Sequence, residues 1–176
     1  MDKIPFYNLL NMLFVGLVGI VCCVFIVPDD VWINWRLVQG LVNNATLDVV
    51  LFLVISYFVG LIVNRMGSWF IEDLLKTEKN YNRLSWPVNK IKFPWRKYEL
   101  YIRAQQQDSA LKFLTREYVL SRNMIMLFLL LTLISIWHGK YVMMGVFCFL
   151  IFVFNVSMRK YIFKIIKRID TTTAKS

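Results

Sequence analysis

Apolar residues fall in four long blocks separated by polar stretches, and this pattern organises the chain. The first block runs from Asn8 to Val27 and stops at Pro28. Roughly 20 residues at ~1.5 Å each match the ~30 Å hydrocarbon core of a bilayer. Its exit, Cys-Val-Phe-Ile-Val-Pro, lacks the small residues of a signal-peptidase site, so the block reads as a retained helix. The second block lies in LDVVLFLVISYFVGLIVNRMGSWFIEDLLKTEK, from Leu47 to Lys79. It is apolar from Val49 to Val63 and then changes character without a proline, so it predicts one helix that crosses the membrane and leaves it. The third block, Met124 to Trp137, has only 14 residues and is short for a span. It can lengthen by recruiting Val119 and Leu120 while Arg122 reaches the headgroups. The turn His138-Gly139-Lys140 leads to the fourth block, Tyr141 to Val156.

The polar stretches complete the layout. Residues 28–46 carry Asp29, Asp30, Trp32, Trp35 and Arg36, a composition suited to headgroup level. Pro87 and Pro94 break the segment after Lys79. Trp95 to Asn123 contains neither glycine nor proline and predicts a helix running into the third block. The expected fold class is therefore all-α, a polytopic membrane protein with four transmembrane helices, the second and third extended into the cytoplasm. The expected divisions are a first transmembrane hairpin over 1–76 with an outer loop at 28–46, a basic cytoplasmic helical arm over 77–122, a second hairpin with a basic tail over 123–170, and a flexible end at 171–176.

Composition supports the membrane reading: 58% of the 176 residues are hydrophobic, with a mean hydropathy of +0.54. A net charge of +10 could point to nucleic acid, anionic lipid or membrane orientation. Placement decides. Lys3, the twelve Lys and Arg from Arg65 to Arg122 and the six after the fourth block put 19 of the 21 basic residues on one face. Only Arg36 and Lys140 fall on the other. The positive-inside rule assigns the basic face, with both termini, to the cytoplasm of a bacterial inner-membrane protein. No nucleic-acid partner is needed to explain the charge.

Candidate chemistry is sparse. The chain has no phosphate-binding glycine loop, no HExxH and no GxSxG. Cys22, Cys23 and Cys148 lie in apolar runs, and the single histidine, His138, sits beside a turn. The acids Glu72, Asp73, Glu78, Glu99, Asp108 and Glu117 are scattered and suggest no general acid and base pair. No catalytic, cofactor or metal residue is assigned, and the chain is read as non-enzymatic. The four apolar blocks hold no ionisable group, which argues against coupled transport. Ser56, Thr132 and Ser135 can bond back to their own helices.

Two clusters remain as interaction candidates. Gly60, Asn64, Gly67 and Ser68 form a small or polar stripe that permits close helix contact, and Arg65 and Glu72, seven residues apart, are expected near one face of the same helix. Gly60, Asn64, Arg65, Gly67 and Glu72 are candidates for an oligomer contact or gate. Gly16 and Gly19 on the first helix also permit close approach. In the arm, Arg83, Trp86, Lys90, Lys92, Trp95, Arg96 and Lys97 mix charge with aromatic area. They are candidates for binding a soluble partner, with anionic lipid as the competing occupant.

The GLIVNRMGSWFIEDLLK stretch, the long polar middle and the four-span layout resemble small membrane proteins of bacterial anti-phage defence operons, specifically the KwaA family of membrane subunits of the Kiwa system. The resemblance covers the layout of the whole chain. It implies an inner-membrane oligomer that senses phage infection and a soluble cytoplasmic partner of the KwaB type; separately, the short third and fourth spans and the small-residue stripe on the second predict a homo-oligomer, with a tetramer favoured. It carries over no catalytic residues. Membrane lipids are the other expected partner. The alternative function is an oligomeric pore or membrane-permeabilising effector.

Overall fold

A computed structural model describes residues 6–27, 45–72 and 109–173. Among these residues the chain forms four α-helices: α1 (Phe6–Ile26), α2 (Ala45–Gly67), α3 (Ser109–Trp137) and α4 (Tyr141–Thr173). A single π-helical turn, Ser68–Glu72, follows α2 directly. All four helices are long and apolar enough to cross a membrane. The protein is an all-α, multi-pass membrane protein of four spans.

The helices pair as two antiparallel hairpins, α1 with α2 and α3 with α4. The first hairpin rests on two glycines. A Cβ added at Gly16 would stand 1.7 Å from the Ser56 carbonyl oxygen, and one at Gly60 would stand 1.8 Å from that of Met12. The bare Cα hydrogens thus let two backbones touch, as small residues do where lipid offers no hydrophobic drive to association. Gly19 is crowded differently: its Cβ would meet the flexible tip of Leu127 at 2.9 Å.

The second hairpin is stitched by side chains along its whole length. Phe128 of α3 stacks on Phe147 and tilts against Phe154 of α4, with ring centroids 5.8 and 5.7 Å apart. Farther along, Ile125 packs with Met158 and Ile162, and Leu111 packs with Ile165. The α3 helix joins the two hairpins. In the apolar 18-residue core of its span 56% of residues are buried, against 11% in that of α4. Eight consecutive α3 residues, Ser121 to Phe128, are buried, so at this level the helix is enclosed on every side.

The connection between α3 and α4 follows from one glycine. Gly139 adopts φ 65°, and its N–H donates to the Ile136 carbonyl at 3.1 Å while the Lys140 N–H donates to that of Ser135 at 2.8 Å. These two bonds close the helix end in a Schellman motif. Gly139→Ala is expected to destabilise the hairpin by about 1–2 kcal/mol, the cost of a side chain in the left-handed region. A shift in the denaturant midpoint of the purified protein would measure it.

Several expected boundaries move. The helix expected to continue unbroken from Leu47 to Lys79 changes to a π-turn after Gly67, so an α-helical spacing no longer relates Arg65 to Glu72. The basic tail after Val156 is helical and paired with α3, and the helix continues through Thr173 rather than fraying at Thr171. The expected helix from Trp95 joins the described structure at Ser109, and residues 95–108 lie outside the described residues. Ser56, Thr132 and Ser135 each bond back to the carbonyl four residues earlier, at 2.7–2.8 Å, as their chemistry predicts.

Candidate functional site: an arginine inside the bundle

Pairing fixes the direction of each helix. The contacts of Gly16 with Ser56 and of Gly60 with Met12 make α1 and α2 antiparallel. The start of α1, the end of α2, the start of α3 and the end of α4 therefore share one end of the bundle. It is called the basic end below, and the end carrying Gly139 is the turn end. At the turn end Trp137 and Tyr141 are 87% and 70% exposed, as aromatic residues at a membrane interface are.

Arg122 lies on α3, 15 residues before Trp137. At the α-helical rise that places it roughly 22 Å along the span from the turn end, inside the ~30 Å hydrocarbon layer. Its side chain is only 5% exposed and that of Asn123 only 1%. Arg122 Nη2 donates to Asn64 Oδ1 on α2. Arg122 Nε and Nη2 also donate to Asn123 Oδ1, at 3.3 and 3.2 Å. Gly67, one helical turn beyond Asn64, leaves room for them: a Cβ there would lie 3.3 Å from Asn123 Oδ1 and 3.5 Å from Arg122 Nε. The guanidinium thus ties the two hairpins together through oriented amide oxygens. Arginine suits this position, since it keeps its charge, presents five donors in a fixed fork and is less strongly hydrated than an ammonium.

This arrangement corrects two expectations. Arg122 does not reach out to the headgroups but is buried between helices. The third span therefore contains an ionisable group at membrane depth, and the boundary expected between residues 122 and 123 cuts through one structural unit. The signal was present in the sequence. A 14-residue apolar block cannot cross ~30 Å, and extending it to span length draws Arg122 and Asn123 into the membrane.

The predicted oligomer or gate residues separate in the fold. Gly60 is occupied by α1, while Asn64 and Gly67 face Arg122 and Asn123. Those three positions form contacts within the chain. Arg65 is exposed in the last turn of α2, and Glu72 closes the π-turn. Arg83, Trp86, Lys90, Lys92, Trp95, Arg96 and Lys97, the predicted partner-binding residues, lie outside the described residues.

A second polar feature lies at the basic end. Helices α3 and α4 have 29 and 33 residues, so both outrun a ~30 Å hydrocarbon layer. Beyond it they continue as a two-helix stalk. Leu111, Leu114, Tyr118 and Ile165 fill its seam, and the Tyr161 hydroxyl donates to Glu117 Oε2 at 3.4 Å. Lys112, Lys160, Lys164 and Lys167 are exposed on its surface.

Among the described residues no group of three His, Cys, Asp or Glu side chains could hold a metal ion. The fold and this site define a class: a four-span membrane protein with a buried arginine joint and a basic helical stalk. Comparison with family models, curated proteins and solved structures finds no match to the chain.

Proposed function

We propose that this chain is a non-enzymatic scaffold or sensor of the bacterial inner membrane, which assembles in several copies and docks a soluble partner at its cytoplasmic end, in defence against phage. The observation that supports this most is the stalk. Two helices packed along their length continue past the hydrocarbon layer with Lys112 exposed on α3, and the basic stretch from Lys76 to Arg103 leads into them. A firm, cationic platform of this kind suits an acidic protein surface, which gains on-rate from opposite charge and tight contact from aromatic anchors such as Trp86 and Trp95. The Lys and Arg asymmetry supports placing the basic end in the cytoplasm. The KwaA-like layout supports an oligomeric assembly and a partner of the KwaB type, and closed cyclic symmetry favours a tetramer.

Purification in mild detergent from cells expressing the neighbouring genes is the test. A stoichiometric soluble protein is expected to come with the wild type. It should be lost when Trp86 and Trp95 become alanine and Lys90, Lys92, Arg96 and Lys97 become glutamate, while the altered chain still inserts and assembles. Retention of partner and activity by that variant would refute the assignment. Purification as a lone chain that conducts ions in liposomes would replace the scaffold reading with the pore.

A further inference from the structure

Helix α4 packs on α3 through one face only, marked by Phe147, Phe154, Met158, Ile162 and Ile165. The opposite face is a single stripe. At 100° per residue, positions 142, 146, 149, 153, 160, 164 and 167 fall within a sector about 60° wide. Its occupants change character along the helix. Val142, Val146, Phe149 and Val153 are exposed and apolar, whereas Lys160, Lys164 and Lys167 are exposed and basic.

The change falls at a particular depth. Measured from Tyr141 at the turn end, Val153 lies roughly 18 Å along the helix, Lys160 roughly 28 Å and Lys167 roughly 39 Å. The hydrocarbon layer ends near 30 Å and the headgroup layer lies just beyond it. The apolar half of the stripe therefore faces acyl chains, and the lysines, with their flexible stems, reach the plane of the phosphates. The one acidic residue of α4 is Asp170, three positions beyond Lys167 and outside the stripe by helical angle, so Lys160 and Lys164 have no acidic residue within four positions on their own helix. Lys164 Nζ also lies 6.0 Å from the centroid of the Tyr161 ring, which orients it without neutralising it.

We infer that the outward stripe of α4 is a seat for an anionic phospholipid, its acyl chains along Val146, Phe149 and Val153 and its phosphate held by Lys160, Lys164 and Lys167. An acidic protein would match the lysines but not the apolar run that continues them at membrane depth. A lipid matches both halves. The inference gives Lys160, Lys164 and Lys167 of the stalk to lipid and leaves the soluble partner to the arm residues from Arg83 to Lys97; the two tests change different residues, so either reading can fail without the other.

The test uses the full chain, delipidated in mild detergent. Native mass spectrometry and thermal unfolding are followed on adding phosphatidylglycerol, phosphatidylcholine or inorganic phosphate. The wild type should retain and be stabilised by phosphatidylglycerol in preference to phosphatidylcholine, and inorganic phosphate should not displace it. The triple variant Lys160→Gln, Lys164→Gln, Lys167→Gln should lose that preference by on the order of a hundredfold, about fivefold per lysine. The corresponding triple arginine variant should keep it, which separates lost charge from lost folding. Equal binding of the two lipids, an undiminished preference in the glutamine variant, or displacement by inorganic phosphate would each overturn the inference.

Discussion

Replacing Asn64 with leucine is expected to destabilise the folded bundle by about 2–3 kcal/mol, the usual worth of a hydrogen bond to a charged group. The two side chains have the same branching and number of heavy atoms, so the substitution removes the acceptor with little change of shape. The Asn64 oxygen holds Arg122 Nη2 where the guanidinium is 5% exposed, so its loss leaves a charge with less compensation inside the membrane. The measurement is reversible unfolding in detergent micelles or bilayers, with variants compared under one condition. Arg122→Met should cost less than Asn64→Leu, because it removes the charge and leaves only neutral amides short of a partner. Combining Arg122→Met, Asn64→Leu and Asn123→Leu should recover most of the stability, since an apolar cluster of similar volume often replaces a buried polar one at little cost. A cycle in which the single effects simply add would mean that these side chains do not act as one unit.

That prediction bears on function as well as stability. An apolar substitute would hold the hairpins together nearly as well, so a charged joint at this depth is a candidate for more than adhesion. The triple apolar variant separates the two roles. On the defence role proposed above, a triple variant that folds normally yet fails to protect cells against phage would assign the Arg122 joint to signalling. If it folds and protects, the joint is architectural.

The layout of the chain was legible because a bilayer imposes length. The first block supplies a full span, and the second and fourth, apolar over 15 and 16 residues, reach span length with the residues that flank them; their helices appear with starts within two residues of the expected ones. The joint was legible only in part. Gly60, Asn64 and Gly67 stood out as a small or polar stripe, but a stripe shows that something approaches closely and not what approaches. Its occupants, Met12 and the pair Arg122 and Asn123, lie 48 to 58 residues away in sequence, and no local spacing links them. The π-turn was hidden for a related reason. Ser68–Glu72 carries no glycine or proline to mark the change of helical geometry, and Ile71 packs with the clusters around Phe128 and Ile125, so the register there is set by tertiary contact. The stalk was half visible. The cationic run after Val156 read as a tail until its apolar members, Met158, Ile162 and Ile165, were seen to recur every three or four residues against α3.

The crossing of α1 and α2 leads to the largest effect expected of any single substitution. Gly16→Val or Gly60→Val should prevent the first hairpin from closing. The first atom of a new side chain would fall 1.7 Å from the Ser56 carbonyl oxygen at position 16, or 1.8 Å from the Met12 carbonyl oxygen at position 60. Real Cβ atoms do not come within 3.0 Å of such neighbours. The obstacle is backbone, so no rotamer change can relieve it, and the helices must separate by more than an ångström. Separation would strip contacts from Val15, Val18 and Val59, which pack into the core shared with Leu127 and Leu131. The expected loss exceeds about 4 kcal/mol, the range reserved for substitutions that break a specific packing device. Even alanine at either position should be severely destabilising, because the clash lies at Cβ itself. Gly145→Ala supplies the control: it lies within α4, and an added Cβ there meets nothing within 4 Å. That change should be neutral or stabilising by up to about 1 kcal/mol through helix propensity. Folded yield by size-exclusion chromatography and the midpoint of unfolding would rank the series. Wild-type stability in Gly16→Val or Gly60→Val would show that α1 and α2 do not cross at these glycines.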